Sequence, residues 1–298
     1  MSDQKIFDTV KSYNDFNNHP TLHPSVSVLD FSDAEPRHGY NMSFGIFTII
    51  LKEVKCGDLA YGKNTYDYQE GTLVFIGPGQ VVDVSNKTDI YQPVGRGLTF
   101  HPDILLGTPL AKQIDDCGFF SYNLSEALHL STDEQQTVLE LLSIVENELK
   151  RPIDKHSKKL ITANISLFLD YCERFYDRQF VSRQHINTGV LAKFEELING
   201  YFKSEKPYSE GLPSVGYFAD QLHLSANYFG DLIKKETGKS AQEFIQKKLI
   251  EIAKDKIFDS EKSVKEIAFE LGFKYPQHFN RIFKQKVGVT PKEFRDKQ

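Results

Sequence analysis

The chain has 298 residues, a formal net charge of −5 at pH 7 and three cysteines. This length suffices for two domains, and no run is long and apolar enough to span a membrane as a helix. The opening residues, 1–5, are not followed by an apolar segment, so no signal peptide is expected. Cys56, Cys117 and Cys172 lack the spacing of a zinc site. They fit a reducing cytosol, and we predict neither a metal nor a cofactor.

The acidic net charge is unexpected for a nucleic-acid binder, because contacts to phosphate supply much of the affinity in that class. The charge is unevenly distributed, however. Residues 190–298 contain 19 Lys and Arg against 16 Asp and Glu, a balance of +3. Residues 1–189 contain 17 against 25, a balance of −8. The C-terminal part is therefore the candidate for contact with DNA.

The N-terminal half is rich in predicted strands. Its first 25 residues are polar and predict an irregular arm. Later runs combine β-branched and aromatic residues with Gly and Pro at their ends, as strands do. Many short strands indicate a β-barrel or a sandwich. The predicted strands are Ser43–Leu51, Asp67–Ile76, Val81–Val84 and Gly95–His101, with Gly77–Gly79 as the turn between the second and the third.

The run Gly-x-Leu-x-x-Ile-x-Pro-Gly at 71–79 is similar to a turn of the cupin barrel. Catalytic cupins hold a metal with His and Glu. Here Gln80 stands where a His often follows the Pro-Gly, and Ser43–Leu51 contains no His. We therefore expect no enzyme and no catalytic residues in this half, and a barrel that serves as a binding pocket or a contact surface. His23, His38 and His101 are expected in loops or on the surface.

Two helices should follow the strands. Thr132 is the predicted cap of a helix that reaches Leu149, and Lys158–Tyr176 predicts a second helix. Their short link makes them an antiparallel pair. Whether they only cover the barrel or also contact a second copy of the chain stays open. The polar run 181–189 is the predicted linker.

The C-terminal half contains one pattern twice. Ala219, Leu222 and Leu224 recur at an offset of 49, and Phe229 to Phe244 recur at an offset of 50, so the second copy has one extra residue in its turn. Each copy predicts a helix-turn-helix unit, with Ser225 as the N-cap of its second helix. Ser240–Asp259 predicts a connecting helix of roughly 30 Å, which would place the units about one duplex turn apart.

Residues from about 190 to 297 resemble the C-terminal DNA-binding domain of the AraC/XylS family of bacterial transcription regulators. The second copy carries the resemblance in Val264–Ala268, Gly272–Phe273, Phe279–Lys284 and Gly288–Pro291. The resemblance implies a cytoplasmic regulator, more often an activator, that associates with the nucleoid when bound. It also implies an N-terminal domain that binds a small molecule, dimerises, or does both. RNA polymerase is a further possible partner.

The residues expected to face the major groove lie on the second helix of each copy. Gln and Asn suit adenine, Arg suits guanine, and Lys suits phosphate or guanine. Arg281 has an alternative partner in Glu270. Asp231 either repels phosphate and excludes wrong sites, which we favour, or accepts from a cytosine amino group. The predicted contact residues are Ser225, Asn227, Asp231, Lys234, Tyr275, Gln277, Asn280, Arg281 and Lys284.

The predicted fold class is thus α+β with two domains. A cupin-like β-barrel with a helical pair fills residues 1–180, and an all-α domain with two helix-turn-helix units joined by a helix fills residues 190–298. The predicted function is sequence-specific, homodimeric regulation of transcription on double-stranded DNA. The alternatives are a dimeric regulator without a ligand, and a cupin enzyme fused to a DNA-binding domain.

Overall fold

The computed structural model describes residues 4–52, 71–83, 90–123, 126–182, 184–258 and 262–296, and the side chains of 182 and 184–188 are left out of the description. The chain divides into two compact units, Met1–Ser182 and Arg183–Gln298. The predicted linker 181–189 lies across this division and is helical where it is described. Cys56 falls outside the described residues.

The first unit mixes strands and helices. Its elements are β1 (Gln4–Phe7), α1 (Val10–Phe16), β2 (Val26–Asp30), β3 (Asn41–Phe44), β4 (Phe47–Lys52), β5 (Thr72–Ile76), β6 (Val81–Asp83), β7 (Arg96–Phe100), α2 (Leu110–Asp116), β8 (Leu128–His129), α3 (Thr132–Leu149) and α4 (Ser157–Ser182).

The strands form two sheets. One has the order β1-β3-β6, in which β1 and β3 are parallel, and the other has the order β2-β7-β4-β5-β8 with antiparallel neighbours. The larger sheet packs its apolar residues into the core, where Ile49, Leu51, Leu98 and Phe100 are almost fully buried. The mixed α+β class is confirmed. A closed cupin barrel is not confirmed in the part of the chain that the structure describes.

The N-terminal arm is not irregular, contrary to the prediction from its polar sequence. β1 pairs with β3 along its whole length. Thr9 caps α1 by accepting from the Ser12 backbone N–H at 3.1 Å. Phe7 and Tyr13 then stack edge to face at 5.0 Å between ring centroids inside the core. Pairing between distant segments orders the arm, and local polarity gives no sign of such pairing.

The single strand predicted over Ser43–Leu51 is interrupted at Gly45. Its two parts, β3 and β4, belong to different sheets. Gly45 donates its N–H to the Phe7 carbonyl at 2.9 Å, and a Cβ at this position would lie 2.6 Å from the Asp8 carboxylate. The Asp8 Cα would lie 3.1 Å from the same Cβ, so the close approach of the arm favours glycine here. Likewise, the turn at Gly77–Gly79 does not close a hairpin, because β5 and β6 lie in different sheets.

The two long helices form as predicted but begin and end elsewhere. Ser131, not Thr132, caps α3 in a capping box with Glu134, because its hydroxyl accepts from the Glu134 backbone N–H at 3.3 Å. α4 continues beyond Tyr176 because Gln179 is buried against β8. The Gln179 amide accepts from the His129 N–H at 2.7 Å and donates to the Ala127 carbonyl at 3.2 Å. One side chain thereby replaces a neighbouring strand at the edge of the sheet.

All the regular secondary structure that is described in the second unit is helical. Its elements are α5 (Gln184–Lys203), α6 (Lys206–Glu210), α7 (Val215–Gln221), α8 (Ala226–Thr237), α9 (Ala241–Ile257), α10 (Val264–Glu270), α11 (Pro276–Val287) and α12 (Pro291–Asp296).

Two details of this unit differ from the prediction. α6 lies within the expected loop between Lys203 and Pro213. The connecting helix α9 has 17 residues, because Ser240 is its N-cap and Phe258 its C-cap. Its length is therefore about 25 Å rather than 30 Å.

Aromatic side chains fill the core of each helix-turn-helix copy. In the first copy (215–244), the ring of Phe194 from α5 meets those of Phe218 and Phe229 at 5.2 and 4.8 Å. In the second copy (264–294), the Phe279 ring lies 5.3 Å from Phe273 and 5.7 Å from Phe283. Burial of one face of each helix leaves the opposite face of α8 and α11 in solvent.

Candidate nucleic-acid interface

The turn before the second helix of each copy is closed in the same way. The Leu224 N–H donates to the Ala219 carbonyl at 2.9 Å, and the Phe273 N–H donates to the Ala268 carbonyl at 3.0 Å. Both alanines have no exposed surface. A small side chain at this point lets the two helices of the unit cross closely. Equivalent bonds at equivalent positions make the two copies one structural motif.

One residue of each turn has a left-handed backbone. His223 has φ +57° in the first copy, and Gly272 has φ +91° in the second. A Cβ on Gly272 would lie 2.6 Å from the carbonyl carbon of Gly211, so close packing against the loop after α6 adds to the need for glycine. The extra residue of the second copy is Lys274, which precedes the cap of α11.

α8 and α11, which we call the reading helices, have the same length. Ser225 caps α8 by accepting from the Tyr228 N–H at 3.2 Å, whereas Tyr275 makes no side-chain cap and Pro276 starts α11. Each helix ends at a left-handed glycine, Gly238 or Gly288, whose N–H donates to the carbonyl four residues earlier at 2.8 Å. Glycine readily adopts this backbone, which ends a helix sharply.

The structure places the predicted contact residues on the solvent side of the reading helices. In α8, Phe229, Leu232 and Ile233 are buried. In α11, Phe279 and Phe283 are buried. Ser225 is half-buried as the cap. The remaining predicted residues are exposed: Asn227, Asp231 and Lys234 on α8, and Gln277, Asn280, Arg281 and Lys284 on α11, with Tyr275 just before it.

The two reading helices differ in charge at equivalent positions. α11 carries Arg281, Lys284 and Lys286 and no acidic residue, which gives +3. α8 carries Lys234 and Lys235 against Asp231 and Glu236, which gives zero. Asp231 and Arg281 occupy the same position, 50 residues apart. The second copy is therefore better suited to approach phosphate.

Glu270 has partners other than Arg281. Its carboxylate accepts from the Lys256 ammonium at 2.9 Å and from that of Lys262 at 2.6 Å. Burial opposes its ionisation, but hydrogen bonds from the two lysines outweigh this and lower the pKa of Glu270. Within the described residues, no hydrogen bond or ion pair engages Arg281. Its guanidinium is available to a ligand.

Two exposed residues near the reading helices, Lys274 and Lys286, were not predicted from the sequence, whereas Gly230 was expected on the solvent side of α8. Lys274 and Lys286 add positive charge beside the predicted residues. Lys286 is detectable by alignment of the copies, where it stands opposite Glu236. Gly230 leaves a gap on α8 at the position that Asn280 fills on α11.

Outside the reading helices, the described residues include few groups suited to metal binding or catalysis. They contain no group of three or more His, Cys, Asp or Glu side chains arranged for a metal ion. Burial raises the pKa of the Cys117 thiol to about 12 and that of Cys172 well above its ordinary value, so both thiols are poor nucleophiles. In the parts of the chain that are described, no helix has the length and apolarity to cross a membrane.

The chain is similar to several known proteins. Residues 218–297 match the family model of a helix-turn-helix domain. The chain is 24% identical to the uncharacterized HTH-type transcriptional regulator YfiF of Bacillus subtilis, over 78% of this chain and 71% of that protein. It is 20% identical to the HTH-type transcriptional activator RhaS of Citrobacter koseri, over 83% of this chain and 91% of that one. The C-terminal domain of the Fusobacterium nucleatum response regulator yesN is 28% identical, with a TM-score of 0.30, over 34% of this chain and 96% of that domain.

The two reading helices, each ended by a left-handed glycine, and the matching family model define the second unit as a helix-turn-helix DNA-binding domain. Its tandem arrangement and its relatives make it a domain of the AraC/XylS type, and the protein is a DNA-binding transcription regulator. The relatives are regulators rather than enzymes.

Proposed function

We propose that the protein is a cytoplasmic activator of transcription. It places α8 and α11 in two successive major-groove segments on one face of the DNA. The observation that carries the proposal is the pair of reading helices, which have the same length and an exposed side each and are joined by α9. An α-helix fits the width of the major groove. Activation is the role stated in the name of the similar RhaS protein, and it implies a contact with RNA polymerase.

The exposed side chains have separate roles in this proposal. Gln277 and Asn280 bind adenine edges, and Arg281 binds a guanine through O6 and N7. Lys234 and Lys284 neutralise phosphates and contribute affinity for every sequence. α11 supplies the larger share of the affinity because its charge is +3 and that of α8 is zero.

The first unit controls the second by dimerising, by binding a small molecule, or by both. Exposed apolar residues on α3 and α4 support dimerisation, because Ile144, Leu160 and Leu167 are 43–47% exposed. A pocket lined in part by Phe75, Phe119 and Tyr176 has a cavity volume of about 10 Å³, roughly the room for one water molecule. Sites for small molecules usually have roughly 300–1,000 Å³. A dimeric regulator without a ligand is therefore a second candidate. If the first unit binds a small molecule, we propose that its two sheets form a cupin-like barrel around the ligand.

Genome-wide footprinting of the full chain tests the regulatory role. The proposal expects protected sites next to promoters, and lower transcription of the adjoining genes when the chain is deleted. Higher transcription at those genes would make the protein a repressor. Absence of reproducible protected sites would reject sequence-specific binding.

Sedimentation and DNA titration test dimerisation. The fragment 185–298 should be a helical monomer that binds the same site more weakly than the full chain, because dimerisation makes the second half-site an intramolecular contact. Leu167→Glu should dissociate a dimer that uses α4, with Leu212→Glu as a matched exposed control in the second unit. A full chain that stays monomeric at micromolar concentration, with and without DNA, would reject dimerisation.

A further inference from the structure

Gly230 lies in the middle of α8, on its solvent side. Asn227 precedes it by three residues and Lys234 follows it by four, so both lie next to it on the helix surface. Glycine inside a helix is less favourable than alanine by roughly 0.5–1 kcal/mol. α8 is therefore less stable with glycine at this position than with alanine.

The fold itself does not require this glycine. A Cβ added to Gly230 would meet no atom within 4 Å, and the residue lies in a regular helix. Gly45 and Gly272 differ, because a Cβ on either would lie 2.6 Å from a neighbouring atom. The missing side chain of Gly230 thus leaves space that no other part of the described protein fills.

The second reading helix has no such gap. Asn280 occupies the equivalent position on α11 and is exposed. α8 consequently has a notch, defined by Gly230 between Asn227 and Lys234, where α11 presents an amide. A molecule that lies against both helices can come closer to the backbone of α8 than to that of α11.

We propose that the Gly230 notch admits the C5-methyl group of a thymine at the floor of the major groove, which makes Gly230 a specificity-determining position. The thymine methyl is the apolar group that a base pair presents in this groove. It would contact the half-buried Cα of Gly230 directly, through the open space that a Cβ would occupy. The inference rests on the proposed function, because it requires α8 to lie in the groove.

Gly230→Ala in the full chain tests the inference, with Gly200→Ala as its matched control. Gly200 also lies in a helix, α5, is exposed, and has open space around its Cβ. Both substitutions should raise Tm by a similar amount, because each removes a glycine from a helix. Only Gly230→Ala should weaken binding to a duplex that the wild-type chain has selected from a random pool, by about fivefold or more.

Replacement of each thymine of that duplex by deoxyuridine, one at a time, tests the chemistry, because it removes only the methyl group. The wild-type chain should lose affinity at one thymine, whereas Gly230→Ala should bind the uracil duplex at least as well as the thymine duplex there, because the replacement removes the group that meets the new Cβ. Equal binding by the wild type and Gly230→Ala overturns the inference. Weaker binding by Gly230→Ala without a uracil-sensitive position overturns the assignment to thymine.

The test also separates this inference from the proposed function. If the wild-type chain selects no duplex, sequence-specific binding is rejected and the inference with it. If binding depends on Arg281 but not on Gly230, the proposed function stands and the inference alone is overturned.

Discussion

The two helix-turn-helix copies have the same framework and different surfaces. Buried Ala219 and Ala268, the equivalent turn bonds and the left-handed glycines at the ends of α8 and α11 are shared. The exposed positions have diverged, most clearly at Asp231 and Arg281. The comparison shows that the buried repeat determines how a reading helix is held, while the exposed residues determine what each helix can bind.

The largest difference expected between the copies concerns the left-handed residue of the turn. Gly272→Ala should destabilise the protein by more than about 2 kcal/mol, because the new Cβ would meet the Gly211 backbone and because positive φ is costly for alanine. At the equivalent position of the first copy, the substitution His223→Gly should alter the free energy of unfolding by less than about 1 kcal/mol. Urea unfolding of both variants measures the difference. Similar values for the two would mean that the turns are not packed differently.

A second difference concerns affinity for DNA. Arg281→Ala should weaken specific binding by ~1–3 kcal/mol and leave binding to random DNA nearly unchanged, and Asn280→Ala should behave likewise. Lys234→Ala and Lys284→Ala should weaken binding to all sequences. Titrations on one selected and one scrambled duplex distinguish these cases. Equal losses on both duplexes for Arg281→Ala would assign it to phosphate contact or to folding.

A third, smaller effect is confined to the second copy, in which Glu270 binds two lysines. The first copy has Gln221 at the equivalent position. Glu270→Gln should cost about 1 kcal/mol or less, because the ion pairs are partly exposed. The pKa of Glu270 is lowered in the folded protein. Its contribution to stability is therefore present above the unfolded pKa of about 4.3 and is lost as the pH falls through the folded pKa.

Urea unfolding of the wild type and Glu270→Gln between pH 7 and pH 3 measures this contribution. The difference between them should be constant near pH 7 and should decrease towards the acidic end. A difference that grows on acidification would contradict the ionised state of Glu270.

The smallest expected effect concerns Asp231. If it faces DNA without a cytosine partner, Asp231→Asn should tighten binding to random DNA and narrow the gap between specific and non-specific affinity. If it accepts from a cytosine, the same change should cost ~1–3 kcal/mol at the specific site only. We favour the first outcome, and titrations at two salt concentrations separate them. Unchanged binding on both duplexes would mean that Asp231 does not face DNA.

The sequence predicts local features of this protein well. The repeat, the Ser225 cap and the buried sides of α8 and α11 all follow from patterns within about a dozen residues. Features that depend on distant pairing were missed. β1 is ordered by β3, Gly45 breaks a predicted strand because Asp8 approaches it, and α4 is extended by the bonds of Gln179 to β8.

At the candidate interface, too, the sequence predicts local features but not contacts between distant residues. Helical periodicity placed Asn280 and Arg281 in solvent, as the structure does. The partners of Glu270 could not be predicted, because α9 brings Lys256 to it from 14 residues away. The gap at Gly230 also needed the structure, since only the surroundings of its backbone show that the fold does not use the missing side chain.

The most direct test of the account is guanine-methylation interference with the full chain on its selected duplex. Methyl groups in two major-groove segments should block the binding of each chain. The centres of these two segments should lie about 10–10.5 base pairs apart. Arg281→Ala should abolish the interference in one segment and leave the other. Interference confined to a single segment for the wild type would contradict the claim that both helix-turn-helix units enter the major groove.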